Sequence, residues 1–213
     1  MAHLYPAFLN LSDKECLVVG GGKVAERKTA TLIEYGARVR LVSPQVTPRI
    51  DRWATQDIIV WRQGLFNPDD LNDIQFVFAA TGDSEANKSI YALSRQRGVL
   101  VNSADDPPNC DFYVPSILRR GSLCIAVSTE GKSPLLAAKL RRELESLIPD
   151  EYEEWVEILG SLREAIKKSD LDISERQELF KQLVYSDMFD LLKEGRKDEM
   201  EERIAKCMSC LRE

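Results

Sequence analysis

Three glycines raise the first chemical question. Gly20-Gly21-Gly22-Lys23-Val24-Ala25 fits the spacing G-x-G-x-x-(G/A). It follows the apolar run "CLVVG" and opens the helical pattern "VAERKTATLIEYG". Each position has a physical use. Gly20 permits a tight turn, Gly22 lets backbone come close to a pyrophosphate, and Ala25 lets a helix pack near the strand. The N-terminus of that helix offers unpaired N–H groups and a partial positive charge to phosphate. The spacing alone also suits a purely structural glycine turn. Its position between a strand and a helix is what points to a dinucleotide.

The second strand departs from the usual pattern. A site for NAD often ends that strand with an acidic residue that binds the ribose hydroxyls. Here the positions read Val42-Ser43-Pro44-Gln45, with no carboxylate and no arginine. Ser43 or Gln45 could hydrogen-bond a ribose instead. Arg40 is the nearest cation, and no arginine is placed for a 2′-phosphate, so the expected cofactor is NAD rather than NADP.

Two later stretches could also carry chemistry. "VNSADDPPNCDF" (101–112) leaves the carboxyl end of an expected parallel strand, the edge where ligands sit in such sheets. Asn102, Asp105 and Asp106 would face the glycine-loop crevice, and Thr81, near the end of "FVFAATG", joins them as a cofactor contact. A carboxylate beside a cofactor can act as a general base or attract a metal ion. Asp-Asp-Pro-Pro-Asn is equally what a turn requires, and on spacing alone the turn is the better account. "AVSTEGKS" (126–133) imitates the phosphate loop G-x-x-x-x-G-K-[ST]. Ala126 replaces its first glycine and Pro134 follows at once, which excludes a nucleoside triphosphatase. What survives is a helix N-terminus at Ser133-Pro134 with Lys132 beside it, suited to a carboxylate or phosphate.

The elements that must hold these residues are legible as patterns. "CLVVG" (16–20), "RVRLVS" (38–43), "DIIVWRQ" (57–63), "FVFAATG" (76–82) and "VLVNS" (99–103) read as strands, the fourth apolar enough to be covered on both faces. Residues 24–36 and 84–98 read as helices, with Gly36 as the first one's stop. Repeated β-α-β of this kind predicts an α/β, Rossmann-like, doubly wound parallel sheet over residues 1–113. Two short strands meeting at Arg120-Gly121, and a helix that Ser133 and Pro134 begin and that stops before Pro149, predict a small α+β segment over 114–148. From Asp150 the patterns are amphipathic helices, giving an all-α part over 149–213.

Charge divides along the same boundaries. Residues 1–113 carry a net -2, residues 114–142 a net +5 and residues 143–213 a net -9. A basic island in an acidic chain suits an anionic ligand. A solvated helix face explains the charge equally well. The overall -6 and pI near 5.1 argue against nucleic-acid binding. No apolar run reaches the 18 or so residues that a membrane span needs, and the N-terminus lacks the pattern of a signal peptide. The expectation is therefore no membrane and a cytoplasmic location. The five cysteines are odd in number and irregular in spacing, so they read as reduced thiols. Cys207 and Cys210 form a C-x-x-C, but His3 is the only histidine, and two thiols on a terminal helix is the better account.

Taken together, "CLVVGGGKVAERK", "FVFAATGD", "VLVNSADDP" and "DFYVPSILRRGSLCIAVSTEGKSPLLAAKLRRELE" resemble the precorrin-2 dehydrogenase family, also found as the N-terminal module of siroheme synthase. With the helical tail, the resemblance covers most of the chain in order, and its 111–145 block is far more specific than the glycine loop. It implies NAD-dependent oxidation of precorrin-2 to sirohydrochlorin. Some members also insert Fe²⁺, as a second substrate, to give siroheme. The resemblance further implies a homodimer with a central dimerisation segment. Its key aspartate falls on Asp105, and its nucleotide contacts fall on Lys23, Val24, Pro44 and Gln45. A serine phosphorylated in some members falls on Thr129.

The residues agree with this chemistry. A polycarboxylate substrate suits Arg119, Arg120, Lys132 and Ser133 in the basic island. Dehydrogenation needs a hydride acceptor and a base, and Asp105 is the candidate base, or a transient guide for Fe²⁺, with no resident metal expected. The sequence shows no methyltransferase domain, so precorrin-2 is expected from a separate uroporphyrinogen methyltransferase. A nucleotide-sensing module without turnover is the rival reading.

Overall fold

A computed structural model describes residues 3–104 and 106–209. The chain forms two compact units, Met1–Val114 and Pro115–Glu213.

In the first unit, β1 (Glu15–Val19), α1 (Lys23–Glu34), β2 (Arg38–Ser43), α2 (Pro48–Thr55), β3 (Val60–Gln63), β4 (Phe76–Ala79), α3 (Ser84–Gln96) and β5 (Leu100–Ser103) follow in order. The five strands form one sheet in the order β3-β2-β1-β4-β5, and every pair is parallel. The chain winds outward from β1 to β3, then returns to build on β1's other side. The order therefore reverses between β1 and β4, and ligands sit at such a reversal.

The apolar run of β1 is buried on both faces because neighbouring side chains point to opposite sides. Cys16 and Val18 join Leu32, Leu41, Ile50 and Phe78 beneath α1 and α2. Leu17 and Val19 join Val77, Ile90 and Val101 beneath α3. Each fully buried Leu, Ile or Val stabilises by about 1.5–3 kcal/mol. α1 ends as its sequence predicts, with Gly36 in the left-handed region at φ +72°.

Between the second and third strands, two details differ from the sequence reading. It contains no helix between the second and third strands, where α2 stands. The signal was Thr47-Pro48: the Thr47 hydroxyl caps the Ile50 N–H, and Pro48 takes the first helical position. The third strand begins at Val60 rather than Asp57. Asp57 is left-handed at φ +56°, and the Ile58 N–H donates to the Trp53 carbonyl at 2.9 Å, so both residues belong to the end of α2.

The second unit opens with an antiparallel hairpin, β6 (Ser116–Arg120) and β7 (Leu123–Val127), followed by α4 (Pro134–Leu147). Gly121 turns the hairpin at φ +52°. α5 (Tyr152–Lys167), α6 (Ile173–Val184), α7 (Met188–Lys193) and α8 (Lys197–Met208) complete it. Their apolar stripes meet around Trp155, Ile166, Leu179, Leu183, Met188, Leu191, Leu192 and Met200. Among the described residues no strand follows Asp150.

Candidate functional site

The glycine loop sits at the carboxyl end of β1, where the strand order reverses. Gly20 has φ +126°, and a Cβ there would lie 2.2 Å from the Ala80 carbonyl oxygen. Gly21 is crowded from the other side: a Cβ would lie 1.9 Å from the Gln45 carbonyl oxygen and 2.6 Å from Ser43 Oγ. The loop is thus wedged between the segments that follow β4 and β2. Gly22 differs, because a Cβ there would meet nothing within 4 Å. Protein packing makes no demand on that glycine, and the open space before the N-terminus of α1 is where a pyrophosphate would approach. Ala25, fully buried, packs α1 against the sheet.

A cavity stands on each side of this loop. One, of about 490 Å³, is lined by Gly21, Gly22, Ser43, Pro44, Gln45, Val46 and Thr47. The other, of about 350 Å³, is lined by Val24, Ala80, Thr81, Gly82, Ser84, Asn87, Lys88, Ala104 and Asp106. The first lies past the end of β2, where a ribose and its base would sit, and the second past β4 and β5. The fit to a dinucleotide is good: two cavities, a helix N-terminus between them, and open space at Gly22.

This geometry matches a sequence family. The model NAD_binding_7, described as NAD(P)-binding, covers residues 7–116. The chain belongs to the NAD_binding_7 family. Behind that domain, residues 120–147 match the sirohaem biosynthesis protein central region and residues 151–207 the sirohaem synthase dimerisation region. Siroheme synthase of Nitrosococcus oceani is 38% identical over 92% of this chain and 42% of its own length. Siroheme synthase 1 of Aeromonas salmonicida is 38% identical over 85% of this chain and 39% of its own. The chain therefore spans about two fifths of the curated relatives it matches. Among solved structures, SirC, a precorrin-2 dehydrogenase, superposes with a TM-score of 0.80 at 28% identity. It covers 95% of this chain and 100% of that one.

Within the family domain, the expected nucleotide contacts fall on both cavities. Pro44 and Gln45 are exposed in the wall of the first. Ser43 is buried there, and its hydroxyl donates to the Gln45 carbonyl at 2.6 Å, so it shapes the loop. Lys23 is exposed beside Gly22, and Val24 lines the second cavity. Thr81 lines it too, bonded through Oγ1 to Asn87 Oδ1 at 2.7 Å. The sequence reading passed over buried Asn87. Its signal is an amide in the apolar stripe of α3, three residues before Ile90 and seven before Ser94.

Asn102 stands one layer lower. It is buried, accepts from Lys28 Nζ at 2.5 Å and donates to the Phe112 carbonyl at 3.0 Å. It ties α1 to β5 and to the segment after it. Lys28 also sits over the Phe78 ring, 5.5 Å from its centre. Asp105 lies outside the described residues. Its neighbour Asp106 lines the second cavity and accepts from Asn109 Nδ2 at 2.7 Å. Cys110 braces this loop, its thiol bonded to Ser103 and to the Asp106 carbonyl; burial raises its pKa.

The basic island, in the second unit, is largely engaged within that unit. Arg120 Nε reaches Asp150 Oδ1 at 2.9 Å and the Ile148 carbonyl at 3.1 Å. Arg119 bonds the Gly121 carbonyl at 3.4 Å. Lys139 pairs with Glu143, and Arg141 with Glu145. Ser133 caps α4 through Leu136 N–H, and Lys132 is exposed beside it. Thr129 Oγ1 accepts the Ser133 N–H at 2.9 Å.

Cys16, Cys110, Cys124 and Cys207 are free thiols, and Cys210 lies outside the described residues. Among the described residues, no cluster of three or more His, Cys, Asp or Glu could hold a metal ion. None of the described helices is long and apolar enough to cross a membrane.

Proposed function

We propose that this chain oxidises precorrin-2 to sirohydrochlorin with NAD as the hydride acceptor. The likeness to SirC carries the reading, because it runs over the whole of that dehydrogenase rather than over a dinucleotide fold alone. The two cavities flanking the glycine loop support it independently.

When bound, NAD supplies the chemistry of accepting a hydride. The chain's part is to hold, orient and deprotonate. Gly20 and Gly21 fix the loop, Gly22 leaves room for phosphates, and the α1 N–H groups face them. Gln45 and Pro44 take the adenosine side, and Val24, Thr81 and Asn87 take the nicotinamide side. NAD is favoured over NADP because Arg40, the cation on β2 closest to its carboxyl end, is engaged elsewhere. Its Nη2 donates to the Asn72 carbonyl at 2.6 Å and its Nε lies 3.3 Å from Glu15, at the opposite edge of the sheet. Asp105 takes the substrate proton, as its place next to the cavity-lining Asp106 suggests. Arg119, Lys132 and Ser133 receive substrate carboxylates, and Arg120 is better assigned to holding the hairpin.

We divide the chain into a dinucleotide-binding part (1–113), a dimerisation segment (114–148) and a helical part (149–213). Because the family description of a dimerisation region attaches to 151–207, the homodimer is expected to involve those helices too. A uroporphyrinogen methyltransferase supplies the substrate in the cytoplasm.

The test is anaerobic: purified protein, precorrin-2 and NAD, with NADH and sirohydrochlorin followed by absorbance, then Fe²⁺ added. NADH formed in step with sirohydrochlorin is the expected result. NAD binding without NADH would favour a nucleotide-sensing module. A later siroheme spectrum would add iron insertion to the activity. Asp105→Asn should abolish turnover, whereas Asp106→Asn should leave most of it; the reverse pattern would move the base to Asp106.

A further inference from the structure

The end of β2 supplies no carboxylate to the cavity that would receive the adenosine ribose. A carboxylate of another element stands behind its wall. Glu26 stands in the first turn of α1, and its N–H donates to the Gly22 carbonyl at 2.9 Å. Its side chain is only 12% exposed, and Lys23 Nζ lies 3.4 Å from its Oε2. Hydrogen bonding to the Thr47 side chain, helped by the charges of Lys23 and Arg49, holds its carboxyl below the usual glutamate range. Thr47 itself lines the cavity, with Ser43, Pro44 and Gln45. Arg49 is two residues further on, its guanidinium 4.8 Å from the Trp53 ring centre. A negative charge therefore lies one side chain behind the ribose wall, drawn toward the two cations nearest that wall in sequence.

We propose that Glu26 is the residue that selects NAD over NADP; the inference rests on the dinucleotide reading above. Glu26 acts in two ways with the same sign. Its charge opposes a 2′-phosphate, and it pairs with Lys23, a cation that a 2′-phosphate would otherwise recruit. Selection by an unfavourable charge is as effective as selection by an added contact.

The experiment measures dissociation constants of NAD and NADP by calorimetry, on the full chain without substrate. The wild-type chain should prefer NAD. Glu26→Gln should tighten NADP on the order of tenfold, about 1.4 kcal/mol, while NAD stays within about threefold. Glu26→Asp should keep the wild-type preference. Adding Lys23→Met to Glu26→Gln should remove the gain in NADP relative to NAD, because Lys23 is the cation that Glu26 holds. If Glu26→Gln does not fold by its melting curve, Glu26→Ala is measured in its place.

A role confined to folding would weaken both dinucleotides together, and an unchanged ratio in Glu26→Gln would overturn the proposal. A wild-type chain that binds neither dinucleotide would remove the site, and the proposal with it. A chain that binds NAD selectively through Glu26 but does not oxidise precorrin-2 would sink the substrate reading alone.

Discussion

Around the glycine loop, the sheet unit arranges polar groups about two cavities: Gln45 and Thr47 on one side, Asn87, Lys88 and Asp106 on the other. In the helical unit, Arg120, Arg141, Lys197 and Arg203 are each paired with a carboxylate of the same unit. The two regions look equally rich in chemistry when read as sequence. Their difference is topological. A parallel sheet whose order reverses leaves a crevice at the carboxyl ends of its strands, because the helices leave on opposite faces. A hairpin and helices leave no comparable edge, and their long charged side chains find partners one helical turn away, as Arg141 does in Glu145, or on another element of the same unit, as Lys197 does in Glu154. Charge counted along a chain is therefore not charge available to a ligand.

The largest test of this contrast lies within the three glycines. Gly20→Ala and Gly21→Ala place a Cβ 2.2 Å and 1.9 Å from backbone oxygens. Each should cost on the order of 3 kcal/mol or more in stability, measured by urea unfolding. Gly22→Ala meets no atom within 4 Å and has an ordinary backbone φ of -84°, so it should cost under about 0.5 kcal/mol. Its effect should appear as at least roughly tenfold weaker NAD binding, because the methyl group fills ligand space. Equal effects at all three positions would mean that the loop is only a structural turn.

A smaller effect separates engaged from available cations in the basic island. Arg120→Met removes a side chain that is 18% exposed and bonded to Asp150 and the Ile148 carbonyl. It should lower stability by about 1 kcal/mol and leave NAD binding unchanged. Lys132→Met should be silent in stability and raise KM for precorrin-2 several-fold. If Arg120→Met raised KM without loss of stability, the island would be a ligand surface throughout.

The same contrast explains what the sequence could and could not show. β1 and β4 were legible because buried parallel strands are nearly continuous apolar runs, and α4 because Ser133-Pro134 marks its start; β3, an edge strand with little burial, was read with the wrong start. The family resemblance added Lys23, Val24, Pro44 and Gln45; the last three line the cavities, and Lys23 stands beside Gly22. Glu26 and Asn87 were not legible as site residues. Each lies on a helix whose pattern looks ordinary, and only the packing of α1 beside the β2 loop, or of α3 beside Thr81, gives it a role. Ser43 and Asn102 were legible as polar residues at a ligand edge. That their hydrogen bonds are directed inward depends on Gln45, Lys28 and Phe112, contacts that spacing does not encode.

The smallest expected effect is on acid stability, where the helical unit should respond first. Lys167, Arg203 and Arg196 hold the carboxyls of Glu164, Asp187 and Glu199 below their ordinary values of 4.5 for Glu and 3.8 for Asp. In the sheet unit Glu26 is held down in the same way. A depressed folded pKa contributes stability that is fully present above the unfolded value and is lost as pH falls through the folded one. The loss therefore begins as pH drops below about 4.5 and deepens under 3.8. All three pairs of the helical unit are exposed, so screening keeps each contribution small and salt should reduce it further. Trp155, 4% exposed in the core of that unit, reports on it once Trp53 and Trp61 of the sheet unit are replaced by Phe. Its urea midpoint should fall between pH 6 and pH 3.5 by more than that of a Trp155→Phe chain, which reports on the sheet. Asp187→Asn should narrow the gap, and so should 0.5 M salt, at about a 4 Å Debye length. Midpoints that fall in parallel would show that charge pairing does not distinguish the two units, and the contrast would then rest on the cavities alone.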